Sequence, residues 1–127
     1  MKKLVFIFTL SCSLNAFPSE WTKVSTDIEQ VNYINNNSIK KENRNITFVR
    51  LADFSKANKR GRLSALISMK ADCEKKNIMY ISYETFELNM AEGEKIASRK
   101  LPEPKWVYAE PETYKSKLLK HVCYFFK

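Results

Sequence analysis

Few residues in this chain could do chemistry, and their spacing does not favour catalysis. The one histidine, His121, lies between Lys120 and Val122, and the cysteines are Cys12, Cys73 and Cys123. Tetrahedral zinc needs a set of nitrogen and sulfur ligands that this inventory cannot supply, so neither a metal nor a cofactor is expected. Glu92 and Glu94 flank Gly93 and superficially form a carboxylate pair. Residues two apart share a side only in extended chain, and nothing in the sequence separates their pKa values as acid–base work requires. Neither a glycine-rich phosphate loop nor a nucleophile elbow occurs. His121 reads as a structural or solvated residue near a helix C-terminus, whose dipole favours the imidazolium. We therefore expect no catalytic residues and no enzyme.

Binding has one feature above background. The run Ser55-Lys56-Ala57-Asn58-Lys59-Arg60-Gly61-Arg62 places four positive charges within seven residues. At a hairpin tip, Lys56, Lys59, Arg60 and Arg62 would meet sulfate, phosphate or carboxylate groups together, and they are the candidate ligand-binding residues. The alternative is a solubilising loop, because charge runs are commonly just solvated. Tyr80, Tyr83, Phe86, Tyr108, Tyr114, Tyr124 and Phe125 are numerous for a chain of this size. Most belong in a core; any on an outer face would form a ligand surface or join two copies as a homodimer.

The chain's beginning bears on which partners it can meet. Lys2 and Lys3 precede an apolar stretch, Leu4 to Leu14, that is too short to span a bilayer, and Ala16 offers a small residue before Phe17. Residues 1–16 read as a secretory signal peptide and 17–127 as a single domain. A lipoprotein signal with Cys12 lipidated is the competing reading, weakened by Thr9 where a leucine is wanted. Removing Lys2 and Lys3 takes 22 Lys and Arg to 20 against 14 Asp and Glu, leaving +6. A basic exported chain meets polyanionic glycans, lipopolysaccharide or acidic host proteins rather than nucleic acid. Its location is then the periplasm or the cell surface. Export also leaves Cys73 and Cys123, an even count that points to a disulfide in an oxidising compartment; two buried free thiols are the alternative.

The elements that must position these residues follow from periodicity. Trp21 to Ser25 alternates as a first strand, Val31 to Ile34 as a second, and Asn35, Asn36, Asn37 and Ser38 make a turn. Ile39 to Lys41 is a brief strand, and from Asn45 to Phe54 the residues Ile46, Thr47, Phe48, Val49, Arg50, Leu51, Ala52 and Phe54, nearly all β-branched, aromatic or apolar, have side chains suitable for both faces, as a central strand would. In Arg62 to Cys73 the residues Leu63, Ala65, Ile67, Met69, Ala71 and Cys73 share one phase, so Cys73 faces inward. Ile78 to Leu88 returns antiparallel, and a further short strand starts at Lys95. Thr113 is placed to cap a helix in which Leu118, Leu119, Val122, Cys123 and Phe126 form one stripe. Two periodicities thus send each cysteine to a hidden face. The fold expected is α+β: an antiparallel sheet of about five to six strands, a C-terminal helix packed on it, and a Cys73–Cys123 disulfide joining the two.

The order of Trp21, Tyr33 to Asn35, Val49 to Phe54, Asp72-Cys73, Met90, Gly93, Trp106-Val107-Tyr108, Pro111 and Leu118-Leu119 to Val122-Cys123 resembles the bacterial surface-adhesin protein E family. The resemblance covers essentially the whole chain after the leader. Glu112-Thr113 stands where the family has Gly-Ser, and Asn35 where it has an aspartate; Thr113 still suits a helix cap. The resemblance implies the same sheet, helix and disulfide. For the member that names the family it implies attachment to host extracellular-matrix proteins such as vitronectin and laminin. The function expected is a non-enzymatic, exported, adhesin-like binding protein for matrix proteins or acidic glycans. The alternative is a periplasmic envelope-associated structural domain without a host ligand.

Overall fold

The computed structural model describes residues 21–57 and 61–126; the leader assigned to residues 1–16, with Cys12, lies outside them. Eight strands form one antiparallel sheet: β1 (Trp21–Thr26), β2 (Gln30–Asn35), β3 (Lys40–Glu42), β4 (Asn45–Phe54), β5 (Ser64–Asp72), β6 (Asn77–Phe86), β7 (Lys95–Lys100) and β8 (Trp106–Tyr108). The main path runs β1-β2-β4-β5-β6-β7. Short β3 shares with β2 one edge of β4, and short β8 shares with β7 one edge of β6. The sheet is therefore six strands wide, and the strands beyond that number are its three-residue pieces.

Asparagines make the early turns. The Asn35 side chain accepts from the Asn37 N–H, and residues Asn36–Ser38 form a single 3₁₀ turn between β2 and β3. Asn43 adopts φ +56 in the β3–β4 turn, a left-handed conformation asparagine tolerates well. The edge change along β6 has its own cause. Ser68 pairs with Ser82 but Met69 with Tyr80, so Ile81 is an extra residue that bends β6. β7 pairs with β6 on one side of this bulge and β8 on the other, and Leu101 N–H donates to the Ile81 carbonyl at the handover.

The helix α1 (Tyr114–Tyr124) begins where the sequence places it: the Thr113 hydroxyl accepts from the Ser116 N–H. It turns Leu118, Leu119 and Val122 onto Ile34, Ile46, Phe48, Met69, Ala71 and Ile78, one phase of the sheet, and these side chains form the core. Phe126 departs from the expected stripe. It is 43% exposed: Cys123 is bonded to Cys73, just past the end of β5 at Asp72, and Phe126 lies beyond that anchor. Cys123 is bonded to Cys73 with Cα atoms 5.8 Å apart. Cys73 is the first residue of the β5–β6 turn, which Asp72 holds by accepting the Lys75 N–H at 3.1 Å.

The bond spans a sequence separation of 50 residues. Constraining a loop of that length in the unfolded chain contributes about 4 kcal/mol in the chain-entropy model, and strain commonly trims this. The double replacement C73S/C123S should lower stability by about 2–4 kcal/mol. A urea titration checks this, and an unchanged midpoint would contradict it.

Candidate functional site

Two surfaces at opposite ends of β5 compete for a binding role. The β4–β5 hairpin carries the basic run at one end, where Phe54 N–H donates to the Leu63 carbonyl and Ser55 N–H to the Glu29 carbonyl. Lys56 is exposed and Arg62 half-buried; Lys59 and Arg60 lie outside the described residues. At the other end is the β5–β6 turn with the disulfide. Nine residues of β5 separate the two, about 30 Å at the rise of an extended strand. One small ligand cannot touch both.

The disulfide end presents the aromatic surface. Tyr124, Phe125 and Phe126 are 74%, 50% and 43% exposed, and the two phenylalanine rings meet edge to face with centroids 5.8 Å apart. Beside them Lys120, His121, Cys123, Tyr124 and Phe125 line an open concavity of about 540 Å³. A hydrogen-bonded chain fixes its position. His121 Nε2 lies 2.8 Å from Asn36 Oδ1, while Asn36 Nδ2 donates to Thr22 Oγ1 at 2.8 Å, so the oxygen faces the ring and Nε2 is the donor. The imidazole therefore ties the helix to the β1–β2 edge. Burial lowers the His121 pKa, the opposite direction from the one that the helix-end dipole alone would give.

Beneath the start of the helix lies a polar cluster that sequence reasoning missed. Arg50, 3% exposed, points from β4 into the helix-side core. Its Nε donates to Asn32 Oδ1 at 2.8 Å, Asn32 Nδ2 donates to Ser25 Oγ at 3.0 Å, and the guanidinium carbon stands 4.6 Å from the Tyr114 ring centroid. Tyr80 and Tyr114 hydroxyls share a hydrogen bond of 2.9 Å. Burial lowers the Arg50 pKa, partly offset by Tyr114 and Tyr80. Burial, followed by the bond to Tyr114, pushes the Tyr80 hydroxyl well above its usual range. The signal in the sequence was an arginine amid Val49, Leu51 and Ala52. Its charge suggests an outward residue, yet strand alternation places it in the phase of Ile46 and Phe48, which faces the helix.

Glu92 and Glu94 are both exposed on the β6–β7 connection. Among the described residues there is no group of three or more His, Cys, Asp or Glu suited to a metal, and no helix is long and apolar enough to cross a membrane. The geometry offers contact surfaces.

Comparison with known proteins fits this architecture. A family model described as Surface-adhesin protein E matches residues 21–124. Protein E of Haemophilus influenzae in its crystal form II superposes with a TM-score of 0.70 at 16% identity, covering 86% of this chain and 91% of that one. The selenomethionine form gives 0.68 at 15%, covering 84% and 87%, and protein E from non-typeable Haemophilus influenzae 0.60 at 16%, covering 79% and 74%. At such identities these structures share the fold. No curated protein sequence matches the chain significantly.

Asn32→Leu should destabilise by about 2–3 kcal/mol, because it leaves a buried guanidinium short of an acceptor. Arg50→Met removes the charge itself and should cost less; chemical denaturation of both variants checks the order. For His121, a pKa lower in the folded than in the unfolded chain means that stabilisation is present above about pH 6.5 and is lost as pH falls through the folded value. The urea midpoint should fall between about pH 7 and pH 5, and His121→Gln should flatten that part of the profile.

Proposed function

We propose that this chain, which belongs to the surface-adhesin protein E family, is an exported, non-enzymatic adhesin that grips host matrix proteins with the aromatic end of helix α1. Family membership supports a binding role at the cell surface. The observation that carries the reading is the exposed run Tyr124-Phe125-Phe126 on a helix end that Cys123 pins to Cys73. Aromatic side chains supply most of the energy at interface centres, and a rigid mount spares the entropy of ordering them on contact. Lys120 and His121 at the rim of the same concavity add polar contacts.

The charged residues have a separate task. The basic run Lys56, Lys59, Arg60 and Arg62, which precedes β5 in sequence, steers acidic partners toward a chain with net charge +6 after loss of the leader. Export through the leader at residues 1–16 is part of this proposal, as are vitronectin and laminin as the matrix partners.

The test is solid-phase binding of the purified exported protein to immobilised vitronectin and laminin, with protease accessibility on intact cells. Y124A/F125A/F126A should weaken attachment at least about tenfold, whereas K56S/K59S/R60S/R62S should mainly slow association at low salt. Absence of binding to either protein, together with protection from protease on intact cells, would overturn the proposal and favour a periplasmic structural domain.

A further inference from the structure

The helix covers one phase of the sheet; on the opposite phase the 3₁₀ turn Asn89–Ala91 closes over the end near Asp53 and Ser64, and the other end, free of any α-helix among the described residues, has its own pattern. Directly paired residues of neighbouring strands point to the same face. Lys40 pairs with Thr47, Thr47 with Lys70, Lys70 with Met79 and Met79 with Trp106, a straight row across β3, β4, β5, β6 and β8. The neighbouring residues Phe48, Met69 and Ile78 belong to the helix-side core, so this row faces away from the helix. A second row on the same face runs Val49, Ser68, Ser82 and Lys100.

These two rows hold three lysines, three hydroxyl residues and a tryptophan, and no carboxylate. Between them Ser38, Lys40, Thr47, Val49, Ser68 and Lys70 line a groove of about 380 Å³. Ser38 is fully occupied: its hydroxyl donates to the Asn35 carbonyl and accepts from the Val49 N–H. The half-buried Thr47 and Ser68 hydroxyls form no hydrogen bond to another described residue. The nearest acids on this face stand in the bordering rows. Glu84 is engaged by Lys95 at 2.9 Å, Asp72 accepts the Lys75 N–H, and Glu42 lies beside the β3–β4 turn.

We propose that this helix-free face binds an acidic polysaccharide, an extended chain of sulfated or uronate-bearing sugars laid along Lys40, Thr47, Lys70, Met79 and Trp106. The chemistry matches on each count. Lys40 and Lys70 stand two strand spacings apart, about 10 Å, as point charges for anionic groups along a chain. The hydroxyls between them suit the hydroxyls of sugars. Trp106, 39% exposed at the end of the row, offers a flat apolar ring face with a polar handle, against which the apolar face of a pyranose packs. A lipid surface would need a cluster of protruding apolar groups, whereas in these two rows Trp106 is the one large apolar side chain that is exposed. The site is distinct from the aromatic helix end and does not depend on the matrix-protein reading.

The test is titration of the purified exported protein with a heparin oligosaccharide, which carries sulfates, and with a hyaluronan oligosaccharide, which carries uronate alone. Trp106 fluorescence and calorimetry are the readouts. Binding of either should change the emission, and Trp106→Phe should abolish that change while Trp21 still reports an intact fold. K40S/K70S/K100S should bind at least about tenfold more weakly and flatten the dependence of affinity on salt, as expected when fewer cations displace counterions. Y124A/F125A/F126A should bind these sugars like the parent, which separates this site from the matrix-protein surface. If neither oligosaccharide binds, or K40S/K70S/K100S binds unchanged while K56S/K59S/R60S/R62S loses affinity, the proposal is overturned.

Discussion

An eleven-residue helix has to cover a sheet six strands wide, and the Cys73–Cys123 bond decides where it lies. The helix is about 16 Å long, against about 24 Å across the sheet, so it can shelter only part of one face. The disulfide fixes its C-terminal end at the β5–β6 turn. The apolar stripe Leu118, Leu119 and Val122 then falls on Ile34, Phe48, Met69 and Ile78. What the helix leaves open follows from that placement: the chain beyond Cys123 and the part of the opposite phase that the Asn89–Ala91 turn does not reach. Both proposed contact surfaces are leftovers of one geometric decision.

The other end of the helix is held by polar rather than covalent means. Arg50 has no carboxylate partner among the described residues and is satisfied by Asn32, the Tyr114 ring and the tyrosine hydroxyls. A buried cation without its acceptors costs several kcal/mol, so these contacts strongly disfavour any other seating of Tyr114. His121 performs a similar task near the C-terminus through Asn36. The helix is thus located at its first turn by Tyr114, along its length by packing, and at its last turn by a histidine and a cysteine. A binding surface mounted on it moves little, which favours affinity through pre-organisation.

Much of this was legible in the sequence because periodicity reports which side of an element is hidden. Met69, Ala71 and Cys73 in one phase, and Leu118, Leu119 and Val122 at helical spacing, were enough to infer a helix laid on a sheet and a bond between them. Thr113 announced its cap by residue type. The signal failed where the local pattern and the tertiary environment disagree. Arg50 looks outward by chemistry, and only the three-dimensional meeting of β1, β2, β4 and α1 supplies its partners. Phe126 continues the helical stripe, but a stripe says nothing of where the opposing sheet ends. The row from Lys40 to Trp106 joins residues up to 66 positions apart, and it is invisible until the β6 bulge and strand registers are known.

The claim on which the surfaces depend is that the helix is seated by the disulfide and does not merely rest on the sheet. Hydrogen–deuterium exchange of the helix amides, compared before and after selective reduction, measures this directly. The account predicts slow exchange over Tyr114–Tyr124 in the oxidised protein, clear acceleration on reduction, and unchanged protection in β4, β5 and β6. Helix amides that exchange equally slowly in both states would contradict it.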